Sequence, residues 1–251
     1  MSSDFTGRVA LVTGGSRGIG RATVLALARG GADVALGFAS RESTAAEVTA
    51  EVEALGRRAV AVRADVGRQA DVDRLVQTTR EVLGPIDLVA HCGAISNVAD
   101  HDELTFERWA ETIDVNLHGT FRVVFAVKDE MIRRAFGRIV CLSSIAALRP
   151  RARQIHYAAA KAGVIAMVRC CAEAFAPHNV RINGVAPGLI DTEMARVLPP
   201  DVFQRVVDET PMRRLGRPEE IAELVAFLLS ERSSFMTGQT VVSSGGRVTL
   251  P

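Results

Sequence analysis

Short apolar runs and longer segments of helical periodicity alternate along nearly the whole chain. Val9–Thr13, Val34–Phe38, Ala59–Arg63, Leu88–His91, Arg138–Leu142, Arg181–Val185 and Thr240–Val242 are apolar, largely β-branched stretches of strand length. Between them the apolar positions recur at helical spacing over Arg17–Arg29, Ser43–Leu55, Gln69–Leu83, Phe106–Arg134, Ile155–Phe175 and Pro218–Ser230. Strands joined by single helical crossovers predict an α/β fold, a doubly wound and mostly parallel sheet of about seven strands flanked by helices on both faces. No Pro/Ser-rich linker or block of charge divides the 251 residues, so the chain is read as a single domain, 1–251. Ligands of such sheets bind at the carboxyl ends of the strands. Gly14–Gly20, Asp65, His91–Ala94, Ser143–Ser144 and Pro187–Gly188 all follow strands at that edge, which points to one shared site.

Two of the segments carry recognisable chemistry. Thr13-Gly14-Gly15-Ser16-Arg17-Gly18-Ile19-Gly20 joins the first strand to the first helix. That order brings backbone N–H groups and the positive end of a helix up to a phosphate, with glycine permitting close approach. The glycine spacing is not GxGxxG, and without a following Lys-Ser/Thr it is not a P-loop. Tyr157 and Lys161 lie one helical turn apart, so the ammonium sits on the same face as the phenol and is expected to draw its pKa from about 10 toward neutrality. A tyrosine and a lysine at that spacing usually just share an exposed helical face. The glycine-rich turn in the same chain makes an acid/base role the better reading.

The TGGSRGIG turn, Asp65-Val66, Asn116, Ser144, Tyr157 with Lys161, and Pro187-Gly188 together resemble the short-chain dehydrogenase/reductase family in order and spacing, over nearly the whole chain. Asn183-Gly184-Val185-Ala186-Pro187-Gly188, Gly216-Arg217-Pro218-Glu219-Glu220-Ile221-Ala222 and Thr237-Gly238-Gln239 are similar to its 3-oxoacyl-[acyl-carrier-protein] reductase-like branch. The resemblance implies a Rossmann fold with a cofactor-binding half over about 1–145, catalytic and substrate-binding elements over about 146–251, and a lid over about 189–213. It implies that Tyr157 exchanges a proton with the carbonyl oxygen, that Ser144 holds that oxygen, that Lys161 lowers the Tyr157 pKa and holds the nicotinamide ribose, and that Asn116 anchors a water that restores the proton. Ser143 competes with Ser144 for its role, and the thirteen-residue interval to Tyr157 selects Ser144.

The implied cofactor contacts are Gly14, Ser16, Arg17, Gly18, Ile19, Gly20, Asp65, Val66, Gly93, Tyr157, Lys161, Pro187, Gly188, Ile190 and Thr192, with Gln154 joining Ser144 and Tyr157 around the substrate. NAD-preferring relatives carry an acidic residue at the end of the second strand. Here that place holds Phe38, followed by Ala39-Ser40-Arg41, so Ser40, Arg41 and Arg17 are expected to favour the 2′-phosphate of NADP(H). The chain departs from the family in having His91-Cys92-Gly93-Ala94 where Asn-Asn-Ala-Gly is usual, and Ser244 in place of an Asp before Gly-Gly.

The expected activity is reversible reduction of a small or medium ketone. Two alternatives are reduction of a 3-oxoacyl group on acyl carrier protein and an NAD(P)-linked alcohol or sugar dehydrogenase; a non-catalytic cofactor sensor would not need Ser144, Tyr157 and Lys161 together. Carrier docking in the resembling reductases uses two arginines, and their places here hold Ala135 and Glu173. Arg133, Arg134, Arg149, Arg151 and Arg153 offer a substitute patch, or a site for a carboxylate or phosphate on a free substrate. A homotetramer paired through the helices over Phe106–Arg134 and Ile155–Phe175 is a further implication of the family. The net charge of +1 without a basic stripe argues against nucleic acid as a partner. No apolar stretch is of membrane-spanning kind and no basic-then-apolar leader opens the chain, so a cytoplasmic, membrane-free protein is expected. Cys92, Cys141, Cys170 and Cys171 lack CxxC spacing and are read as reduced core residues, and the five scattered histidines suggest no metal site.

Overall fold

The computed structural model describes residues 4–196 and 200–249. Seven strands, β1 (Val9–Thr13), β2 (Asp33–Phe38), β3 (Ala59–Arg63), β4 (Leu88–His91), β5 (Gly137–Leu142), β6 (Val180–Pro187) and β7 (Thr240–Ser243), form one sheet in the order β3-β2-β1-β4-β5-β6-β7. Every pairing is parallel, with Leu11 opposite Ala35 and Val89, for example. Nine α-helices are described: α1 (Gly18–Arg29), α2 (Glu42–Ala54), α3 (Gln69–Val82), α4 (Phe106–Ile113), α5 (Gly119–Arg133), α6 (Ile155–Phe175), α7 (Glu193–Arg196), α8 (Pro200–Asp208) and α9 (Pro218–Leu229).

The central strands are apolar on both faces because both faces are covered. Ala10, Val12, Val34, Leu36 and Val140 pack with Val24 and Leu27 of α1, Val48 of α2 and Val225 of α9. The alternate residues Leu11, Ala35, Val89 and Ile139 pack with Leu75 of α3, Val127 of α5 and Val168 of α6. An alternation of faces with no polar side is what a parallel sheet between two helical layers demands. The chain winds outward in opposite directions from β1 and β4, and the crevice above that reversal is where the site forms.

The continuous helix expected over Phe106–Arg134 is interrupted. α4 ends at Ile113, Asp114–His118 form a π-helical turn, and α5 resumes at Gly119. Two tertiary contacts sit at the interruption: the Asn116 amide is bound to the Ile95 backbone, and a Cβ on Gly119 would lie 2.9 Å from Val66. The lid expected over 189–213, read without elements of its own, contains α7 and α8; residues 197–199 of it lie outside the described residues. Cys141 and Cys171 are buried as expected, whereas Cys170 is exposed on the solvent side of α6. Among the described residues no helix is long and apolar enough to cross a membrane.

Candidate active site

β1 ends at Thr13, whose hydroxyl accepts from the Gly93 N–H at 3.1 Å and lies 2.8 Å from His91 Nδ1. This ties the ends of β1 and β4 together beneath the glycine-rich turn. The turn itself admits only glycine at two points. Gly14 has φ +65°, and a Cβ there would lie 3.0 Å from the Gly93 backbone; a Cβ on Gly20 would lie 2.0 Å from the Gly14 carbonyl oxygen. α1 then starts at Gly18 with no acidic residue and no side-chain cap in its first turn, which leaves its positive end suited to an anion. Ser16 is buried in the turn, and Ile19 lines the cavity beside it.

The residues expected around the adenine end fall into two groups. Val66 is buried against Gly93 and Gly119, while the Asp65 carboxylate accepts from the Gly67 N–H at 2.9 Å and stands 3.8 Å from Arg68. Asp65 thus shapes its own turn, and neither residue reaches the cavity lining. Ser40 and Arg41 are exposed at the end of β2, with Arg41 in the left-handed region at φ +68°. Arg41 Nη1 and Arg17 Nη1 converge on one carboxylate, Glu193 of α7, at 2.8 and 3.1 Å. Exposed as it is, some desolvation raises the Glu193 carboxyl; the two guanidiniums outweigh this and hold it below the usual carboxylate range. Sequence reading missed Glu193, since nothing local links it to positions 17 and 41.

Tyr157, Ser144 and Lys161 share a cavity of about 530 Å³ with Gln154, Gly188, Ile190 and Thr192. Ser144 starts a short 3₁₀ turn, accepts from the Ala146 N–H at 3.1 Å and hydrogen-bonds Tyr157. The Ser143 hydroxyl instead donates to the Lys161 carbonyl at 2.8 Å, fastening β5 to α6. Lys161 is fully buried and donates from Nζ to the Leu142 carbonyl at 2.8 Å, with Nζ 5.8 Å from the Tyr157 ring centre. Burial raises the Tyr157 pKa above its ordinary 10.0 against the Ser144 hydrogen bond, and burial lowers Lys161 to about 8. The expected depression of the tyrosine by the lysine is therefore corrected: loss of water dominates both groups and keeps the phenol protonated.

Asn116 is fully buried beside the site. Its Oδ1 accepts from the Ile95 N–H at 3.1 Å and its Nδ2 donates to the Ile95 carbonyl at 2.9 Å, so the side chain holds the segment after β4. Its backbone carbonyl accepts from Thr120 Oγ1 at 2.7 Å. Gly93 sits against Thr13, Pro187 and Gly188 cap β6, and Thr192 touches the Gly18 turn, so the lid closes onto the glycine loop. Cys92 lines the cavity with its thiol pushed up to about 12 by burial, which makes it a poor nucleophile.

A family model described as Enoyl-(Acyl carrier protein) reductase matches residues 14–247. The chain is 38% identical to a 3-oxoacyl-[acyl-carrier-protein] reductase of Synechocystis sp., over 97% of this chain and 98% of the relative. The chain belongs to the short-chain dehydrogenase/reductase family. An acetoacetyl-CoA reductase of Rhizobium meliloti is also 38% identical, over 96% of this chain and 98% of its own. The crystal structure of a short-chain type dehydrogenase/reductase from Mycobacterium marinum superposes with a TM-score of 0.92 at 31% identity, covering 99% of this chain and 98% of that one. The Rossmann architecture and oxidoreductase class of this short-chain dehydrogenase/reductase rest on these matches and on the sheet described above.

Proposed function

We propose that this short-chain dehydrogenase/reductase is an NADPH-dependent carbonyl reductase acting on a small or medium ketone. The observation that carries the reading is the Tyr157 hydroxyl, bonded to Ser144 and kept protonated by burial, in one cavity with buried Lys161. The residues present fit a dinucleotide phosphate: a glycine turn too tight for side chains, an uncapped helix start, and two arginines already gathered around a carboxylate that stands in for an anion. When bound, NADPH supplies the hydride for the carbonyl carbon. Ser144 donates a hydrogen bond to the carbonyl oxygen, and Tyr157 transfers its proton to that oxygen as the C–O⁻ charge develops, giving the secondary alcohol. The ammonium of Lys161 stabilises the phenolate left behind. Gly14, Ser16, Gly18, Ile19 and Gly20 would hold the phosphates, Ser40, Arg41 and Arg17 the 2′-phosphate, and Asp65 and Val66 the adenine side. Gly93, Pro187, Gly188, Ile190 and Thr192 would flank the nicotinamide, and Gln154 the substrate. Asn116 would hold its water through the backbone carbonyl.

Enoyl reduction fits less well, because reductases of that kind set the tyrosine farther from the lysine than the one turn between Tyr157 and Lys161. The names of the two bacterial relatives favour a second reading, reduction of a 3-oxoacyl thioester on acyl carrier protein or coenzyme A. Against a carrier stand Ala135 and the exposed Glu173, which repels an acidic partner. Assembly into a homotetramer is part of the proposal, supported by the exposed stacked pair Phe121 and Phe125 on α5, ring centres 4.0 Å apart, and by exposed Ile155 at the start of α6.

NADPH oxidation followed with free diketones and β-keto esters, and with an acetoacetyl-carrier thioester at low and high salt, tests the reading. Free ketones should be turned over, and Tyr157→Phe should lower turnover about 10²–10⁴-fold while leaving NADPH binding nearly unchanged. Near wild-type turnover by Tyr157→Phe would remove the acid/base assignment. A carrier advantage of several hundredfold that collapses with salt would instead establish the thioester reading.

A further inference from the structure

The cavity that holds Tyr157 is charged in one sense only. Arg149, Arg151, Arg153, Arg205 and Arg247 line it together with Lys161, and among the described residues no Asp or Glu does. A smaller adjoining cavity of about 390 Å³ is walled by Arg149, Arg151, Arg205 and one carboxylate, Glu209. That carboxylate is already taken. The buried Arg247 guanidinium binds it directly and also donates to the Val206 carbonyl at 3.0 Å, while Arg151 reaches it only at 3.9 Å. Arg153 pairs with Asp100 at 3.1 Å. Arg149 has only a 3.5 Å contact to the Arg247 carbonyl, and the Arg205 side chain has no hydrogen bond or ion pair among the described residues.

Arg149, Arg151, Arg205 and Arg247 share the one carboxylate of Glu209, so positive charge is in excess here. Burial first, then the charges of Arg151 and Arg149, hold the Arg247 guanidinium below the ordinary arginine value despite Glu209. Arg149, Arg151 and Arg205 are exposed at the mouth of this cavity, and a cluster of guanidiniums there suits an oxyanion, which arginine's planar fork grips through two parallel hydrogen bonds. The same cavity is also lined by apolar side chains, among them Leu189, Val202 and Val206.

We propose that Arg149, Arg151 and Arg205 form an anion subsite for the far end of the substrate, so that the preferred ketone carries a carboxylate separated from its carbonyl by an apolar segment. The inference rests on the carbonyl-reductase reading and deepens it. The arginines and Tyr157 line one cavity of about 530 Å³, a size that suits a short oxo acid.

The test measures NADPH oxidation with short oxo acids, with their methyl esters and with acetoacetyl-CoA, for the wild type, Arg205→Gln and Arg205→Lys, at low and high salt. Arg205 is exposed on α8, so its replacement leaves the core intact. The acid should be favoured over its ester, with the advantage shrinking as salt rises. Arg205→Gln should raise KM for the acid about ten- to a hundredfold with kcat and the ester unaffected, and Arg205→Lys should recover part of the loss. Equal handling of acid and ester, or an equal loss for both in Arg205→Gln, overturns the subsite. A salt-sensitive dependence on Arg205 confined to acetoacetyl-CoA also overturns it, placing the arginines on a phosphate. If no ketone is reduced at all, the reductase reading fails first, and that outcome is distinct from the other two.

Discussion

Tyr157 and Lys161 are moved apart by the same cause. Removing water disfavours whichever form is charged, so the phenol is pushed above 10.0 and the ammonium falls to about 8. Near neutral pH the pair is a protonated phenol beside a cation, the combination that can give a proton and then stabilise the anion left behind. As pH rises through about 8 the cation is lost while the phenol keeps its proton. In ketone reduction kcat/KM for NADPH should therefore hold level around neutrality and fall tenfold per pH unit above about 8, since this parameter reports the free enzyme. An initial-rate pH profile at constant ionic strength checks it, and a plateau maintained to pH 10 would show that the charge on Lys161 is not required. The identities and spacing of these residues were legible in the sequence because a helix fixes what lies at i+4. The direction of the tyrosine shift was not, because burial depends on how the folded chain surrounds the phenol, including residues such as Pro187, Gly188 and Ile190 that line its cavity from far along the sequence.

Glu193 joins three elements that sequence patterns treat as unrelated: the turn before α1, the start of α2 and the lid helix α7. Periodicity speaks only of neighbours a few positions apart, and Glu193 is 176 and 152 positions from its partners. The π-helical turn at Asp114–His118 escaped for a similar reason: one glycine, Gly119, does not by itself break a helical pattern, and the contacts made there, to Ile95 and Val66, come from other loops. Strands were readable to within a residue or two, because a strand buried on both faces has to be an unbroken apolar run. The Glu193 bridge has a consequence for cofactor choice. A 2′-phosphate held by Arg17 and Arg41 must displace the carboxylate, whereas NADH need not. Exposed ion pairs are weak, so Glu193→Gln should tighten NADPH by at most about tenfold and leave NADH unchanged, while Arg41→Ala should weaken NADPH alone. Fluorescence titration of both cofactors decides it: equal changes for NADPH and NADH would mean that Glu193 acts on the part they share.

The strand order follows from winding outward in two directions from β1 and β4, and it places the end of β4 in the middle of the sheet. His91 is there, 1% exposed between two helical layers, with its Nδ1 on the Thr13 hydroxyl and its Nε2 unpartnered. Burial first and the nearby charge of Lys161 second lower its pKa from 6.5 to about 3, so the folded protein keeps the ring neutral. The unfolded chain binds a proton at this histidine below about 6.5 and the folded one does not until about 3. Stability therefore falls as pH is lowered through that interval, by up to about 1.4 kcal/mol per pH unit from this one group. Glu220, held at about 2 by its hydrogen bonds to Arg214 and to the Arg217 N–H, contributes in the same direction only below its ordinary 4.5. The range from 6.5 to 4.5 thus separates the histidine from the carboxylates. Urea unfolding at fixed protein concentration should show a steeper loss of stability over that range in the wild type than in His91→Asn, which can still accept from Thr13 and has no proton to take up. Parallel pH dependence in the two proteins would place the acid sensitivity elsewhere and would mean that water reaches His91 in the folded state.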